Sequence, residues 1–297
     1  MGCKMLPRGL GWAFAFVLLA LVGCDEHGSP SPQPEMLRFG VESDQSLDAV
    51  EADYAPLFRY LSEQTGLPYE FVPTETYPVL VRLFAAGKVN VAFLGGAIFL
   101  QAERAGGAVP IAMRNVDIRF TTLFVARESD PRKSIEEFHG DRFSFGSRLS
   151  TSGHLMPRYF LEQRGIRPED FFGDVVYSDA HDRTAYAVRD GDADLGAVNS
   201  AIFREMLADG RLNREQLRVV WETPTYPDYV WAVHPSLGRQ LTLRIRDALL
   251  ALNWHNPDHK EILAKVDTRN FLPAAYEDFG MLRQIAERVG FVSNATQ

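Results

Sequence analysis

From Leu37 onward the chain alternates short apolar stretches with segments whose apolar residues recur at helical spacing. "LRFGV" reads as a strand and "DYAPLFRYLSEQTG" as an amphipathic helix closed by Gly66; "YEFVPT" is again strand-like, and "YPVLVRLFAAGK" is a helix closed by Gly87. "VNVAFLGG" follows as a buried strand ending in two glycines, and a helix runs from Ala97 to about Arg104. The alternation continues through "TTLFVAR", "RFSFGS", "LMPRYFLEQRG", "TAYAVRDGD", "DLGAV" and "LRVVWET". Such an order predicts an α/β fold with mainly parallel sheets covered by helices. After "VWAVHP" the pattern predicts helices only, through "GRQLTLRIRDALLALN", "DHKEILAKV" and "AYEDFGMLRQIAERVG". The length suits two lobes: 37–119 opens the first, 120–224 builds the second, and 225–297 returns to the first and adds a helical tail.

The amino end departs from this pattern. Lys4 and Arg8 precede an apolar run from Trp12 to Val22, too short for a comfortable permanent span, so residues 1–23 read as a signal peptide. Leu21, Val22, Gly23 and Cys24 resemble a bacterial lipobox, which implies that Cys24 is acylated and becomes the first mature residue. Asp25 directly after it resembles the signal that holds lipoproteins at the inner membrane. Residues 24–36, rich in Pro, Ser and charge, read as a flexible tether. The expected address is thus the periplasm, with the chain lipid-anchored.

Charge and cysteine content narrow the partners. Net charge is −8, and −10 once Lys4 and Arg8 are removed, with no basic run, which argues against nucleic acid. Small anions stay open, because local donors set their affinity. Cys3 leaves with the signal segment, so no internal disulfide or thiolate metal site is expected. His255 and His259, with Pro257 between them, lack a third ligand; no metal or other cofactor is predicted.

The richest handover from strand to helix is "SRLSTSGHLMP". Ser150, Thr151 and Ser152 offer hydroxyls, the N–H groups of Ser152, Gly153 and His154 open a helix, and Gly153 permits close backbone approach. Three readings compete: a helix cap, which needs one hydroxyl; an anion cradle; and a serine nucleophile. Equivalent edges carry Tyr77, the N–H groups of Gly95 and Gly96, His181 and Asn199, while Asp228 lies in "TPTYPDYVWAV". A hydrolase would use Ser152 with His181 as base and Asp182 or Asp228 behind it, but no G-x-S-x-G elbow surrounds Ser152.

Taken in order, "RYLSEQTG", "TYPVLVRLFAAGKVNVAFLGG", "STSGHLMPRYF", "HDRTAYAVRDGDADLGAVNS" and "WETPTYPDYVW" resemble the substrate-binding proteins of ABC importers for phosphonate, phosphite and phosphate, from about Leu37 to Val292. "FSFGSRLSTSGHLMPRYF" with "HDRTA" and "GAVN" is also similar to a branch labelled selenate-binding. The resemblance implies a type II, two-lobed periplasmic binding fold, no enzymatic activity, and a monomer that delivers its ligand to an inner-membrane permease with its ATPase. It implies that Ser150, Thr151, Ser152 and His181 hold an oxyanion, that Tyr77 reaches it from the other lobe, and that Asp228 places a carboxylate nearby. Leu94 and Ala201 replace residues that aminoalkylphosphonate binders use, which implies a smaller tetrahedral oxyanion. A selenate or sulfate binder, or a sensor feeding a histidine kinase, are the alternatives. A carboxylate in the cleft would favour phosphorus oxyanions, which keep a proton near neutral pH.

Overall fold

The computed structural model describes residues 1–2, 35–42, 47–178 and 180–291, and its strands and helices all belong to the compact unit Gln33–Gln297. The predicted signal segment, Cys24, Asp25 and nearly all of the tether lie outside the described residues.

The first sheet contains β1 (Leu37–Val41), β2 (Tyr69–Phe71), β3 (Val91–Leu94), β4 (Val109–Arg114), β10 (Val230–Val233) and β11 (Phe271–Pro273) in the order β11-β4-β10-β3-β1-β2. The second contains β5 (Thr122–Arg127), β6 (Arg142–Phe145), β7 (Asp174–Tyr177), β8 (Leu195–Asn199) and β9 (Leu217–Glu222) in the order β7-β6-β8-β5-β9. β1, β2 and β3 pair in parallel, as do β6, β7 and β8. Two strands run against their sheets from inside: β10 is antiparallel to both β3 and β4, and β5 to both β8 and β9. Each is the first strand after the chain changes sheet. This is the two-lobed layout of a type II periplasmic binding protein.

The helices are α1 (Leu47–Thr65), α2 (Tyr77–Ala85), α3 (Gly96–Gly106), α4 (Met156–Gln163), α5 (Pro168–Phe171), α6 (His181–Asp190), α7 (Ser200–Ala208), α8 (Gly238–Ala251), α9 (Pro257–Lys265) and α10 (Gly280–Arg288). α1 begins well before the expected "DYAPLFRYLSEQTG" and carries Pro56 in its interior. An interior proline costs about 3 kcal/mol. Burial of Val50, Leu57, Phe58 and Leu61 along one face, at about 1.5–3 kcal/mol per large side chain, outweighs it. The expectation of helices alone after "VWAVHP" is corrected by β11, a three-residue edge strand that pairs with β4. Its shortness and its proline hide it from any periodicity.

The two chain crossings between the sheets are hydrogen-bonded to each other. Phe120 and Tyr226 exchange both backbone bonds, at 2.9 and 3.0 Å, and Asp228 N–H donates to Asp117 C=O at 3.0 Å. Asp117 is fully buried and bonded twice by the Arg114 guanidinium, at 2.7 and 2.8 Å. The backbone under Asp228 is therefore pinned. One apolar cluster spans both lobes, with Leu155 and Met156 packed in it beside Phe99, Phe279, Leu282 and Ile285.

Candidate functional site

The segment that follows β6 makes a single wide turn before α4. Leu155 N–H reaches back five residues to Ser150 C=O at 3.1 Å, the bonding of a π-helix over Thr151–Leu155. Such turns are rare and cluster at functional sites. Gly153 fits the turn closely: a Cβ there would stand 2.8 Å from His181 Cε1, closer than packing allows, and a tight 3.2 Å from Gly146 Cα.

Within this turn the three hydroxyls divide their work. Ser150 is the cap, its Oγ accepting the Gly153 N–H at 2.9 Å, with His181 Nε2 at 3.3 Å. Thr151 Oγ1 accepts the Ala97 N–H of α3 at 2.8 Å, so it bonds across the lobes. Ser152 Oγ accepts from Asn199 Nδ2 at 3.4 Å. The hydroxyls of Thr151 and Ser152 also lie near enough to the Asp228 carboxylate to favour its charged form. The surplus beyond a cap is thus directed at one point.

Asp228 is 1% exposed and receives the Gly96 N–H at 3.1 Å, so its carboxylate gathers donors from the start of α3 and from the turn of the opposite lobe. Burial raises its pKa from 3.8 to about 7, while the Gly96 bond and the Thr151 and Ser152 hydroxyls pull it back down. At neutral pH this group is divided between its protonated and charged forms. Gly96 has no room for a side chain, since a Cβ would meet Leu282 at 2.6 Å and the Asp228 carbonyl at 3.2 Å.

His181, 3% exposed at the start of α6, accepts the Asn199 N–H on Nδ1 at 3.3 Å. When the ring is neutral its proton therefore sits on Nε2, which faces Ser150. Asn199 Oδ1 caps α7 through Ala201 and Ile202 N–H. Tyr77 opens α2, half-buried. Gly95 N–H is held by Glu42 Oε2 at 2.6 Å.

Of the residues singled out from sequence, Ser150, Ser152, Gly153, His181 and Asn199 form one hydrogen-bonded network, and beside it Gly96 bonds Asp228 and Thr151 bonds Ala97. The His154 side chain turns away from it. Its Nδ1 bonds Arg148 C=O at 2.8 Å, its ring packs against Phe145 and Tyr177, and burial lowers its pKa to about 4, so it is neutral. Three neighbours were not singled out: Glu42 at the end of β1, Thr122, and Tyr226. Thr122 Oγ1 lies 2.7 Å from Ser152 C=O and 2.6 Å from the buried Tyr226 hydroxyl. Glu42 had a signal, since it follows a strand at the binding edge of its sheet; the other two had none.

The hydrolase arrangement is not assembled. His181 Nε2 faces Ser150 and not Ser152, and its Nδ1 is occupied by a backbone amide where a triad would need a carboxylate.

Two lobes with a polar junction between strand ends define a substrate-binding protein. The family model for "ABC transporter, phosphonate, periplasmic substrate-binding protein" matches residues 39–279, and the chain belongs to that family; it is a periplasmic transport receptor and not an enzyme. The probable ABC transporter phosphite-binding protein of Prochlorococcus marinus is 29% identical over 268 residues, covering 86% of this chain and 90% of that one. The structure of that organism's PhnD1 in complex with methylphosphonate superposes with a TM-score of 0.78 at 27% identity, over 87% of this chain and 99% of the other. The phosphate-import protein PhnD of Mycolicibacterium smegmatis is 28% identical over 255 residues, 79% of each chain.

Proposed function

We propose that this receptor binds a small tetrahedral phosphorus oxyanion that retains one proton, a phosphonate, phosphite or phosphate, at the junction around Asp228. The observation that carries the reading is the buried Asp228 carboxylate, bonded by Gly96 N–H and flanked by the Thr151 and Ser152 hydroxyls of the opposite lobe. A buried carboxylate beside an oxyanion is tolerable only if a proton lies between them. Sulfate and selenate bring none, so above pH 7, where Asp228 is mainly charged, the same group disfavours them.

In this reading Ser150, Thr151, Ser152, His181 and Asn199 supply donors from the second lobe, Gly96 and Tyr77 act from the first, and the His154 N–H faces the anion, whereas the expected Gly153 and Gly95 N–H groups are taken by Ser150 and Glu42. Each charge-assisted bond contributes about 1.5–3 kcal/mol. The lobes comprise 37–119 with 225–297, and 120–224, and they close on the ligand about the paired crossings. The mature chain is a monomer, anchored through lipid on Cys24 at the inner membrane, and it presents the closed form to a permease and its ATPase. Calorimetry with methylphosphonate, phosphite and phosphate tests this. Micromolar or tighter one-to-one binding, weakened about ten- to a hundredfold by Ser152→Ala and by Tyr77→Phe, is expected. Unchanged affinity in both variants would refute the site.

A further inference from the structure

Away from the Asp228 network lies a recess of about 960 Å³ whose walls come from α2, α3 and α10 on one side and from the Arg148–Leu149 segment, α4 and the end of β7 on the other. Five arginines line it, Arg82, Arg104, Arg148, Arg158 and Arg288, against the two carboxylates of Glu162 and Glu169. On a chain of net charge −8 this is a local reversal of sign.

The arginines are not equivalent. Arg158 is consumed by the wall itself: it forks onto Glu169, and its Nε donates to His154 Nε2 at 3.2 Å. That accounts for one of the two carboxylates. Arg148 lies flat on Tyr177, its guanidinium carbon 3.6 Å from the ring centroid. Among the described residues Arg82, Arg148 and Arg288 have no carboxylate partner. Three guanidiniums of two different lobes thus line one concavity without an ion-pair partner, and Glu162 alone offsets part of their charge, so the recess keeps a positive excess that a multiply charged anion would relieve. Val81, Leu149, Val289 and Phe291 supply an apolar wall in the same recess. Its volume falls in the range of about 300–1,000 Å³ typical of ligand sites.

We propose that this recess is a second ligand site, separate from the oxyanion junction, for a soluble organic polyphosphate such as a nucleoside triphosphate. The phosphate chain pairs with Arg82, Arg148 and Arg288, and the organic part lies on the apolar wall. Of the residues assigned to the oxyanion site only His154 touches the recess, and its ring is neutral and already bonded. The two sites therefore separate by mutation.

The test is calorimetry of the purified protein with ATP, inorganic triphosphate and adenosine, and separately with methylphosphonate. Saturable one-to-one ATP binding is expected, with triphosphate weaker and adenosine weaker still. R82A combined with R288A should weaken ATP at least tenfold and leave methylphosphonate within twofold of wild type; both side chains are exposed, so folding is spared. Absence of saturable ATP binding at millimolar concentration would overturn the proposal. So would stoichiometric displacement of ATP by methylphosphonate, or ATP affinity indifferent to the double substitution. Binding to phosphatidylglycerol vesicles, lost in the double variant and without any ATP binding, would assign the arginines to a membrane surface instead.

Discussion

The Ala97 amide donates to the Thr151 hydroxyl oxygen at 2.8 Å, joining the first turn of α3 in one lobe to the π-turn of the other. The same hydroxyl lies beside Asp228 and favours its charged form, so one side chain links the lobes next to the carboxylate. Thr151→Val keeps the shape and removes this bond, leaving the buried Ala97 N–H without a partner only when the lobes are closed. That penalty is about 1–3 kcal/mol, so oxyanion affinity measured by calorimetry should fall about five- to a hundredfold with little change in apo stability. An unchanged dissociation constant would contradict the closing role.

Ser150 and Ser152 should separate stability from binding. Ser150→Ala removes the cap on Gly153 N–H and should lower apo stability by about 1 kcal/mol in thermal or denaturant unfolding. Ser152→Ala leaves that cap intact, and its larger effect should appear only with ligand present. The reverse pattern would show that the division of labour within the turn is misread.

Asp228 predicts a pH dependence with a definite sign. Its folded-state pKa, about 7, lies above the ordinary 3.8, so between these values the folded state holds more protons than the unfolded one. Its contribution is least unfavourable below pH 4, and stability declines as pH rises towards 7, by about 4 kcal/mol in total, then levels off. Denaturant unfolding of the ligand-free protein from pH 5 to 8 should reveal this slope, and Asp228→Asn should flatten it. A slope that survives in the variant would place the titration elsewhere.

The lipid anchor has its own test. Cys24→Ala should abolish acylation and release the receptor from membranes in fractionated cells, with oxyanion affinity unaltered. A wild-type mature amino terminus beginning at another residue, without lipid, would rule it out.

Much of this architecture was legible because strands such as "VAFL" and helices such as "YPVLVRLFA" have opposite periodicities and sharp boundaries. β11 is not, since three residues with a proline carry no period, and α1 is longer than its apolar pattern predicts because Pro56 and the polar residues near its start mask its first turns. At the site, the hydroxyl run, His181, Asn199 and the paired glycines stood out because strand-to-helix edges select such residues. The aim of Asp228 did not. It depends on a hydrogen-bonded pair of crossings, Phe120 with Tyr226 and Asp117 with Asp228, separated by more than a hundred residues of chain. Thr122 and Tyr226 belong to the same contact and looked like ordinary core residues.

The central claim is that Asp228 selects oxyanions that carry a proton, and the most direct measurement is competitive calorimetry of methylphosphonate, phosphite, phosphate, sulfate and selenate at pH 8 on wild type and Asp228→Asn. The account predicts that wild type binds one or more of the phosphorus anions and neither sulfate nor selenate. It also predicts that Asp228→Asn, a neutral side chain able to donate, gains sulfate and selenate binding as it loses about tenfold or more for the phosphorus ligand. Wild-type protein that binds sulfate or selenate as tightly as phosphate, which still carries a proton at pH 8, or a variant with unaltered selectivity, would contradict it.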